Sequence, residues 1–285
     1  MFDRKAVVII EKEFLPYFPE FFEFLYRVTG RNYFLDYDDA VWHNYDRSNN
    51  RFIRFLLSNK HRNIIAWSSG ITAGSKYIMD YVKKYGAKCT IKLPTVIDLD
   101  LYKTDSNMVD KEKPFVIGWI GSPSSSQYLK LIETPLLKLT DKYNAVVHLI
   151  GVDEKIANEL TFKKEIIVWN AESENEELKK FDVGVMPLKN GEFEQGKCSF
   201  KLIQYMGMCK PVVCSPIGEN VNVVKHNQSG YLASTDDDWY EMIETLILHP
   251  KVGQEMGLCG RKLIEENYSL QANAPMFLKF LNGNV

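Results

Sequence analysis

Short apolar runs alternate with longer amphipathic stretches over most of the 285 residues. Continuous apolar runs such as Ala6–Ile10 (AVVII) are typical of strands that are buried on both faces of a sheet. The predicted strands span residues 6–10, 32–36, 63–69, 89–93, 115–120, 145–150, 166–168, 183–186 and 212–214. Helices are predicted from Pro19 on and at residues 74–85, 127–143, 153–159, 175–180, 200–208, 237–248, 253–267 and 270–281. Strands that alternate with helices form βαβ units, so the chain is predicted to be an α/β protein with parallel sheets.

A polar, charge-rich stretch from Lys103 to Lys113 interrupts this rhythm and predicts an interdomain linker. The strands on either side then belong to two Rossmann-like domains, residues 1–108 and 109–268. A last helix at 269–285 is expected to pack back toward the first domain. Four predicted strands precede Lys103, whereas a doubly wound domain needs about five or six. The first domain is therefore expected to be incomplete.

Composition narrows the class of protein. The net charge of −2 argues against nucleic acid as a partner. The five cysteines form no CxxC pair or zinc-type cluster, and scattered thiols suit a reducing, cytoplasmic setting. No apolar run reaches the roughly 18 residues that a membrane span requires, and Met1 is not followed by a secretory signal pattern.

The segment from Phe14 to Tyr26 is unusually aromatic. Its helical periodicity predicts core packing or a subunit contact. A subunit contact through this segment would make the protein a homodimer. A contact with the membrane surface at the inner face of the plasma membrane, or with a lipid acceptor, remains the functional alternative. Four glutamates lie in or beside the segment and argue against strong attraction to anionic lipid. They are Glu11, Glu13, Glu20 and Glu23.

Carboxylates cluster where the second predicted strand ends. Asp36, Asp38 and Asp39 are followed four residues later by His43. Carboxylates at the carboxyl end of a buried strand are costly unless they are solvated, paired or used. A DxD metal motif is disfavoured because the surrounding pattern does not match, so no metal site is predicted.

The stretch from Gly196 to Asn220 reads as loop, helix, strand and loop in one pass. Pro211 ends the helix and a short apolar strand follows. Lys197 and Lys201 lie at the mouth and first turn of the helix, where a helix N-terminus already favours anions such as phosphate. The alternative is an ordinary α/β unit with two solvated lysines.

Several ordered motifs in the second half resemble the group 1 (family 4) glycosyltransferases. The matching segments are FVIGWIGS at 115–122, IIVWN at 166–170, FDVGVMPL at 181–188, Gly196–Asn220, HNQSGYLA at 226–233 and GLCGRKLIEENYS at 257–269. The resemblance implies the GT-B fold, two Rossmann-like domains facing a cleft. It also implies a retaining, metal-independent hexosyltransferase without a cofactor, which uses a UDP- or GDP-sugar as donor. A glycan or lipid-linked acceptor of the cell envelope, such as lipopolysaccharide, is implied as well.

The resemblance also implies roles for single residues. Lys201, helped by Lys197, is expected to bind the diphosphate and to stabilise the leaving group. The turn at Gly121 and Ser122 is expected to face the diphosphate. Trp169 and Asn170 are expected to contact the base. The backbone N–H groups of Gly218, Glu219 and Asn220 are expected to face the phosphates or sugar. The transferred sugar is expected to be faced by Asp38, Asp39 and His43.

The chain departs from the family pattern at two glutamates. The E-x7-E motif reads Gly196-x7-Gln204 here. Gln204 is expected to bond the ribose hydroxyls more weakly than a carboxylate would, while Glu192, Glu194 or Lys197 could fill the space at Gly196. If Gln204 faces the ribose, Gln204→Glu is expected to keep or improve donor binding. A truncated, catalytically weak homologue that binds nucleotide or a protein partner therefore remains the alternative function.

Overall fold

The computed structural model describes residues 7–104 and 113–283. Its strands and α-helices, named in chain order, are β1 Val8–Glu11, α1 Phe21–Val28, β2 Tyr33–Tyr37, α2 His43–Asp46, α3 Arg51–Leu57, α4 Lys60–Trp67, β3 Gly70–Ala73, α5 Lys76–Lys84, β4 Thr90–Lys92, β5 Phe115–Ile120, α6 Glu133–Lys142, β6 Ala145–Ile150, α7 Glu154–Glu159, β7 Lys164–Ile167, α8 Glu174–Lys179, β8 Val183–Met186, α9 Glu192–Gln195, α10 Phe200–Gly207, β9 Val212–Cys214, α11 Asn220–Val223, β10 Gly230–Leu232, α12 Asp236–Leu248, α13 Pro250–Asn267 and α14 Leu270–Asn282. A 3₁₀ helix at Pro123–Ile132 precedes α6. The α/β class with parallel sheets, predicted from the alternation of apolar runs and helices, is confirmed.

The chain divides into two compact units. Unit 1 comprises Met1–Thr95, Asn190–Cys198 and Asn273–Val285. Unit 2 comprises Val96–Lys189 and Ser199–Ala272. Most of the predicted linker lies outside the described residues.

Unit 1 contains a parallel sheet in the order β1-β2-β3-β4. Its core forms where Leu35 of β2 and Ile71 of β3 meet Ile64 of α4 and Ile78 of α5, all of them fully buried. Within residues 7–104 the strands follow one another across the sheet in chain order, so each crossover adds a strand on the same side.

One strand prediction in unit 1 is wrong. Residues 63–69 were expected to form a strand, but most of them belong to α4, and the strand begins only at Gly70. A short apolar run does not distinguish a buried helix face from a buried strand. Ile64 and Ile65 face the core of unit 1 from the helix. Glycine at position 70, the first residue of β3, leaves room for the Phe280 ring, since an added Cβ would lie 2.8 Å from that ring.

Unit 2 contains six parallel strands in the order β10-β9-β8-β5-β6-β7. The predicted bounds of β5, β6, β8 and β9 are confirmed, whereas β10 was expected only as a turn. The predicted helix at 127–143 begins earlier, as the 3₁₀ helix, and continues as α6. The winding direction reverses at β5, since β6 lies on one side and β8 on the other. In open parallel sheets, ligands bind outside the carboxyl ends of the strands at such a reversal.

Two glycines allow aromatic rings to lie directly on the sheet of unit 2. A Cβ on Gly118 of β5 would lie 1.9 Å from the Phe181 ring, and one on Gly184 of β8 would lie 2.2 Å from the Tyr205 ring. Tyr205 is fully buried, and its hydroxyl accepts a hydrogen bond from the Ile120 N–H at 2.9 Å. These contacts fix α10 against the carboxyl ends of β5 and β8.

Among the described residues, no helix is both long enough and apolar enough to cross a membrane.

Candidate active site

Lys201 lies just beyond the carboxyl end of β5. Its Nζ is 4.3 Å from the centroid of the Trp119 ring and 3.2 Å from the Ser125 Oγ. An added Cβ on Gly121 would lie 2.5 Å from the same Nζ, so this position has no room for a side chain. The structure therefore brings Gly121, Ser125 and Lys201 together at the reversal point of the sheet.

The turn after β5 leads directly into the 3₁₀ helix. Ser122 precedes it, Pro123 occupies its first turn, and the Ser125 N–H and Oγ both donate to the Ser122 carbonyl at 2.9 Å. Pro lacks the N–H that would be unpaired at this position. A helix N-terminus carries partial positive charge, and here it lies beside the Lys201 ammonium. The combination favours an anion such as a phosphate group.

The N–H and side chain of Asn220 make three hydrogen bonds within unit 2. Its N–H donates to the Ile217 carbonyl at 3.2 Å, and its Nδ2 donates to the Ser215 carbonyl at 2.9 Å. Its Oδ1 accepts from the Ser199 hydroxyl at 2.7 Å. Because Ser199 is the N-cap of α10 in a left-handed conformation, the buried Asn220 positions the start of the helix that carries Lys201.

The neighbouring turn holds the other two residues whose N–H groups are predicted to face the phosphates or sugar. Gly218 has a φ of 57°, in the region that favours glycine. The Glu219 side chain is buried and accepts from the Asn222 Nδ2 at 3.2 Å. Their assignment to the phosphates or sugar stays a prediction.

Gln204 lies in a polar cluster that the sequence did not indicate. Its Nε2 donates to the Tyr102 hydroxyl at 2.9 Å and to the Glu174 Oε1 at 2.6 Å. The Trp169 Nε1 donates to the Glu174 Oε2 at 2.5 Å. Burial raises the pKa of Tyr102 to about 12, with the Glu174 carboxylate adding to the effect, so its hydroxyl is neutral near pH 7.

The residues predicted to contact the base lie beside this cluster. Trp169 is half exposed, and the Asn170 Oδ1 accepts from the Glu172 N–H at 2.8 Å. Glu174 and Tyr102 were missed. Glu174 lies in an acidic run, ESENEE, whose members look alike in sequence. Tyr102 lies next to the predicted linker and showed no helix or strand periodicity.

In unit 1, two of the three aspartates at the end of β2 have separate partners. Asp36 accepts a hydrogen bond from the Thr72 hydroxyl, and Asp38 pairs with the Lys12 Nζ at 2.8 Å. Burial raises the pKa of the Asp36 and Asp39 carboxyls above their usual range, and nearby Lys197 opposes the shift at Asp39.

His43 bonds to groups other than these aspartates. Its Nδ1 is 2.9 Å from the Asp46 Oδ1, and its Nε2 is 3.1 Å from the donating Trp42 Nε1 and 2.9 Å from the Tyr77 hydroxyl. The Trp42 N–H requires Nε2 to accept, so the proton of the neutral ring is on Nδ1 and faces Asp46. Facing the transferred sugar stays a prediction for Asp38, Asp39 and His43.

The missing carboxylate at Gly196 has a steric explanation within unit 1. An added Cβ on Gly196 would lie 2.3 Å from the Ala40 Cβ and 3.0 Å from the Ala40 backbone nitrogen. The Lys197 Nζ lies 5.0 Å from the centroid of the Phe193 ring, and Glu192 pairs with Arg47 at 2.7 Å. The role of Lys197 at the phosphates stays a prediction.

Among the described residues, no three His, Cys, Asp or Glu side chains lie where they could share a metal ion.

Comparison with solved structures supports the fold of the whole described chain. HepE of Anabaena, in complex with UDP-glucose, superposes with a TM-score of 0.74 at 14% identity, over 92% of this chain and 75% of HepE. TarM of S. aureus, a mutant in complex with Fondaparinux, alpha-GlcNAc-glycerol and UDP, gives a TM-score of 0.65 at 16% identity, over 88% of this chain and 51% of TarM. These likenesses and the two parallel sheets assign the GT-B fold.

Sequence comparison relates residues 114–249 to a known family. TuaH of Bacillus subtilis (strain 168), provisionally assigned as a teichuronic acid biosynthesis glycosyltransferase, is 23% identical over 212 residues. The match covers 70% of this chain and 51% of TuaH, so the chain spans about half the length of this curated relative. The family model "Glycosyl transferases group 1" matches residues 114–249, which contain β5, the 3₁₀ helix and α10. Residues 114–249 are therefore similar to the group 1 glycosyltransferases, and the chain has the GT-B fold.

Proposed function

We propose that the protein transfers a sugar from a nucleoside-diphosphate sugar, and that unit 2 binds this donor. The observation that carries the proposal is the position of the Lys201 Nζ, beside Gly121 and Ser125 at the reversal point of the sheet. The ammonium group and the N-terminus of the 3₁₀ helix supply positive charge to the diphosphate. Because Gly121 has no side chain, the Lys201 ammonium can lie directly beside the backbone of this turn.

We propose that the nucleotide of the donor is UDP, so that the base is uracil. HepE and TarM, which share the fold, are each described in complex with UDP, and HepE also with UDP-glucose. TuaH supports a cell-envelope glycan as the class of acceptor, since teichuronic acid biosynthesis is the role ascribed to it.

We propose a retaining, metal-independent reaction. As the bond between the sugar and the diphosphate breaks, negative charge grows on the leaving UDP. Lys201 is a fixed cation next to that charge and stabilises it more in the transition state than in the ground state. The N-terminus of the 3₁₀ helix acts on the same charge without needing to reorganise.

Turnover of UDP-sugars tests this function. Incubation with UDP-glucose and related UDP-sugars, with and without glycan acceptors, is expected to release UDP. Proton NMR of the first product formed is expected to show the anomeric configuration of the donor. Binding of UDP without release or transfer from any sugar would instead support a catalytically weak, nucleotide-binding homologue. Failure to bind any nucleoside diphosphate would contradict both functions.

We further propose that unit 1 contacts an anionic membrane surface through α3. Phe52 and Phe55 are 70% and 85% exposed on this helix, and Leu56 is half exposed. Arg51 and Arg54 are exposed on the same helix, so apolar and cationic groups share one short segment. Aromatic residues combined with arginines favour the boundary between lipid headgroups and acyl chains. The site would bring the enzyme to a lipid-linked acceptor at the inner face of the plasma membrane.

A further inference from the structure

The Glu174 carboxylate is held by three donors, among them the Tyr102 hydroxyl at 3.5 Å from its Oε1, and can accept one more hydrogen bond. Gln204 donates to its Oε1 and Trp169 donates to its Oε2, at 2.6 and 2.5 Å. A carboxylate has about four acceptor positions, two on each oxygen, so the position that remains is on Oε2. Glu174 is partly exposed, in contrast to the buried Gln204.

The orientation of the Gln204 side chain is fixed by hydrogen bonds within the protein. Its side chain is 97% buried, and its amide nitrogen bonds to the neutral Tyr102 hydroxyl as well as to Glu174. Both hydrogens of the amide are therefore committed within the cluster. Gln204 cannot turn its NH₂ group toward a ligand without breaking these bonds, whereas Glu174 can accept from a ligand without losing any.

The cluster lies at a suitable distance from the proposed diphosphate site. Lys201 and Gln204 are three residues apart on α10, so they share a face of the helix, with a rise of about 4.5 Å between them. In a nucleoside diphosphate, the ribose follows the phosphates by a single C5′ methylene. A diphosphate at Lys201 therefore leads the ribose toward Gln204 and Glu174, with the half-exposed Trp169 indole beside the base.

We infer that the Glu174 Oε2 accepts a hydrogen bond from a ribose hydroxyl of the donor, and that Gln204 is a positioning residue for Glu174. The inference rests on the proposed function. Carboxylates are the usual acceptors for vicinal ribose hydroxyls in nucleotide sites of parallel sheets. In this chain the carboxylate comes from the start of α8, while α10 supplies the amide that holds it. The site consequently selects ribonucleotides over nucleotides that lack these hydroxyls.

Exchanging the two side chains tests this assignment. Glu174→Gln removes the negative acceptor. Gln204→Glu places a second carboxylate where the amide now donates at 2.6 Å, so the two charges repel. The double variant Glu174→Gln/Gln204→Glu restores one amide and one carboxylate in exchanged positions. Glu176→Gln is the matched control, since Glu176 lies on the same helix and pairs only with a lysine at the surface, Lys179, among the contacts described for it.

The measurement is isothermal titration calorimetry with UDP and with 2′,3′-dideoxy-UDP. Wild type and Glu176→Gln are expected to prefer UDP by at least about tenfold, the value of a hydrogen bond to a charged group. Glu174→Gln and Gln204→Glu are expected to lose this preference, and the double variant is expected to regain part of it. Unchanged affinity for dideoxy-UDP in Glu174→Gln shows that the variant is folded and that the diphosphate site is intact.

Two other results separate the inference from the function on which it rests. If wild type binds UDP but Glu174→Gln keeps the full preference for it over the dideoxy analogue, the assignment of Glu174 is overturned and the proposed function stands. If wild type binds neither nucleotide, the proposed function itself is contradicted.

Discussion

The Lys201 Nζ lies 4.3 Å from the centroid of the Trp119 ring, so the ammonium group rests on an aromatic face at the end of β5. A cation over an indole is stabilised by the ring's quadrupole, by about 0.5–2 kcal/mol. Trp119 is almost fully buried, and the Ser125 hydroxyl accepts from the same Nζ. The cation is thus held in place before any ligand arrives, which lowers the cost of ordering it on binding.

The hydroxyl of Tyr205 is expected to be important for the position of α10. Tyr205→Phe leaves the buried Ile120 N–H without its acceptor, which lies at 2.9 Å. An unsatisfied buried donor costs about 1–3 kcal/mol of unfolding free energy. Urea unfolding of Tyr205→Phe is therefore expected to show this loss, with Tyr231→Phe, whose ring is also largely buried, as the control. Equal stability of Tyr205→Phe and wild type would contradict the role of this hydrogen bond.

The sequence was sufficient for four of the six strands of unit 2, because β5, β6, β8 and β9 are predominantly apolar and largely buried. It was not sufficient for α4, where Ile64 and Ile65 lie beside the buried polar residues Lys60 and His61. Lys60 and His61 are buried because they bond to Glu13 and Tyr37, respectively, which are distant in sequence.

The site shows the same limit. Lys201 and Gly121 were predicted from local motifs, and each lies at a turn or helix start with a recognisable pattern. Glu174 was not, because its significance comes from Gln204, 30 residues away along the chain. The absence of a side chain at Gly196 is likewise understood only from its contact with Ala40.

His61 is expected to make the protein less stable in mild acid. Burial, with the nearby Lys60 charge, lowers the pKa of His61 to about 3, whereas an unfolded histidine titrates near 6.5. Between these values the unfolded chain binds a proton that the folded chain does not. The unfolding free energy is therefore fully present above pH 6.5 and falls with decreasing pH, by up to about 1.4 kcal/mol per pH unit from this residue.

Denaturant unfolding from pH 7 to pH 4.5 checks this dependence, with His61→Gln compared against wild type. The variant is expected to be less stable at pH 7, because it disturbs the bond between His61 Nδ1 and the Tyr37 hydroxyl, but to depend less on pH. The exposed His249 provides the control, and His249→Gln is expected to keep the wild-type slope. An identical slope in His61→Gln would exclude His61 as the cause.

The aromatic residues of α3 are expected to bind anionic vesicles. The variant Phe52→Ser/Phe55→Ser removes two exposed rings without touching the core of unit 1. Co-sedimentation with phosphatidylglycerol vesicles is expected to fall at least about fivefold, because each buried apolar side chain contributes about 1.5–3 kcal/mol. Leu248→Ser/Leu258→Ser, which removes two exposed apolar residues of unit 2, is the control.

Two results would contradict the membrane proposal. Equal sedimentation of wild type and the Phe52/Phe55 variant would exclude α3 as the contact. If wild type does not bind vesicles, and light scattering gives it a higher molar mass than the Phe52/Phe55 variant, the surface is instead a contact between two copies of the chain.

Titration calorimetry of UDP binding to Lys201→Ala tests the central claim most directly. Lys201 is the cation assigned to the diphosphate, so its removal is expected to weaken UDP binding at least about tenfold. Lys225→Ala, which changes an exposed lysine of unit 2, is the matched control and is expected to bind as wild type does. Affinity in Lys201→Ala equal to that of wild type and of Lys225→Ala would contradict the placement of the diphosphate at the end of β5.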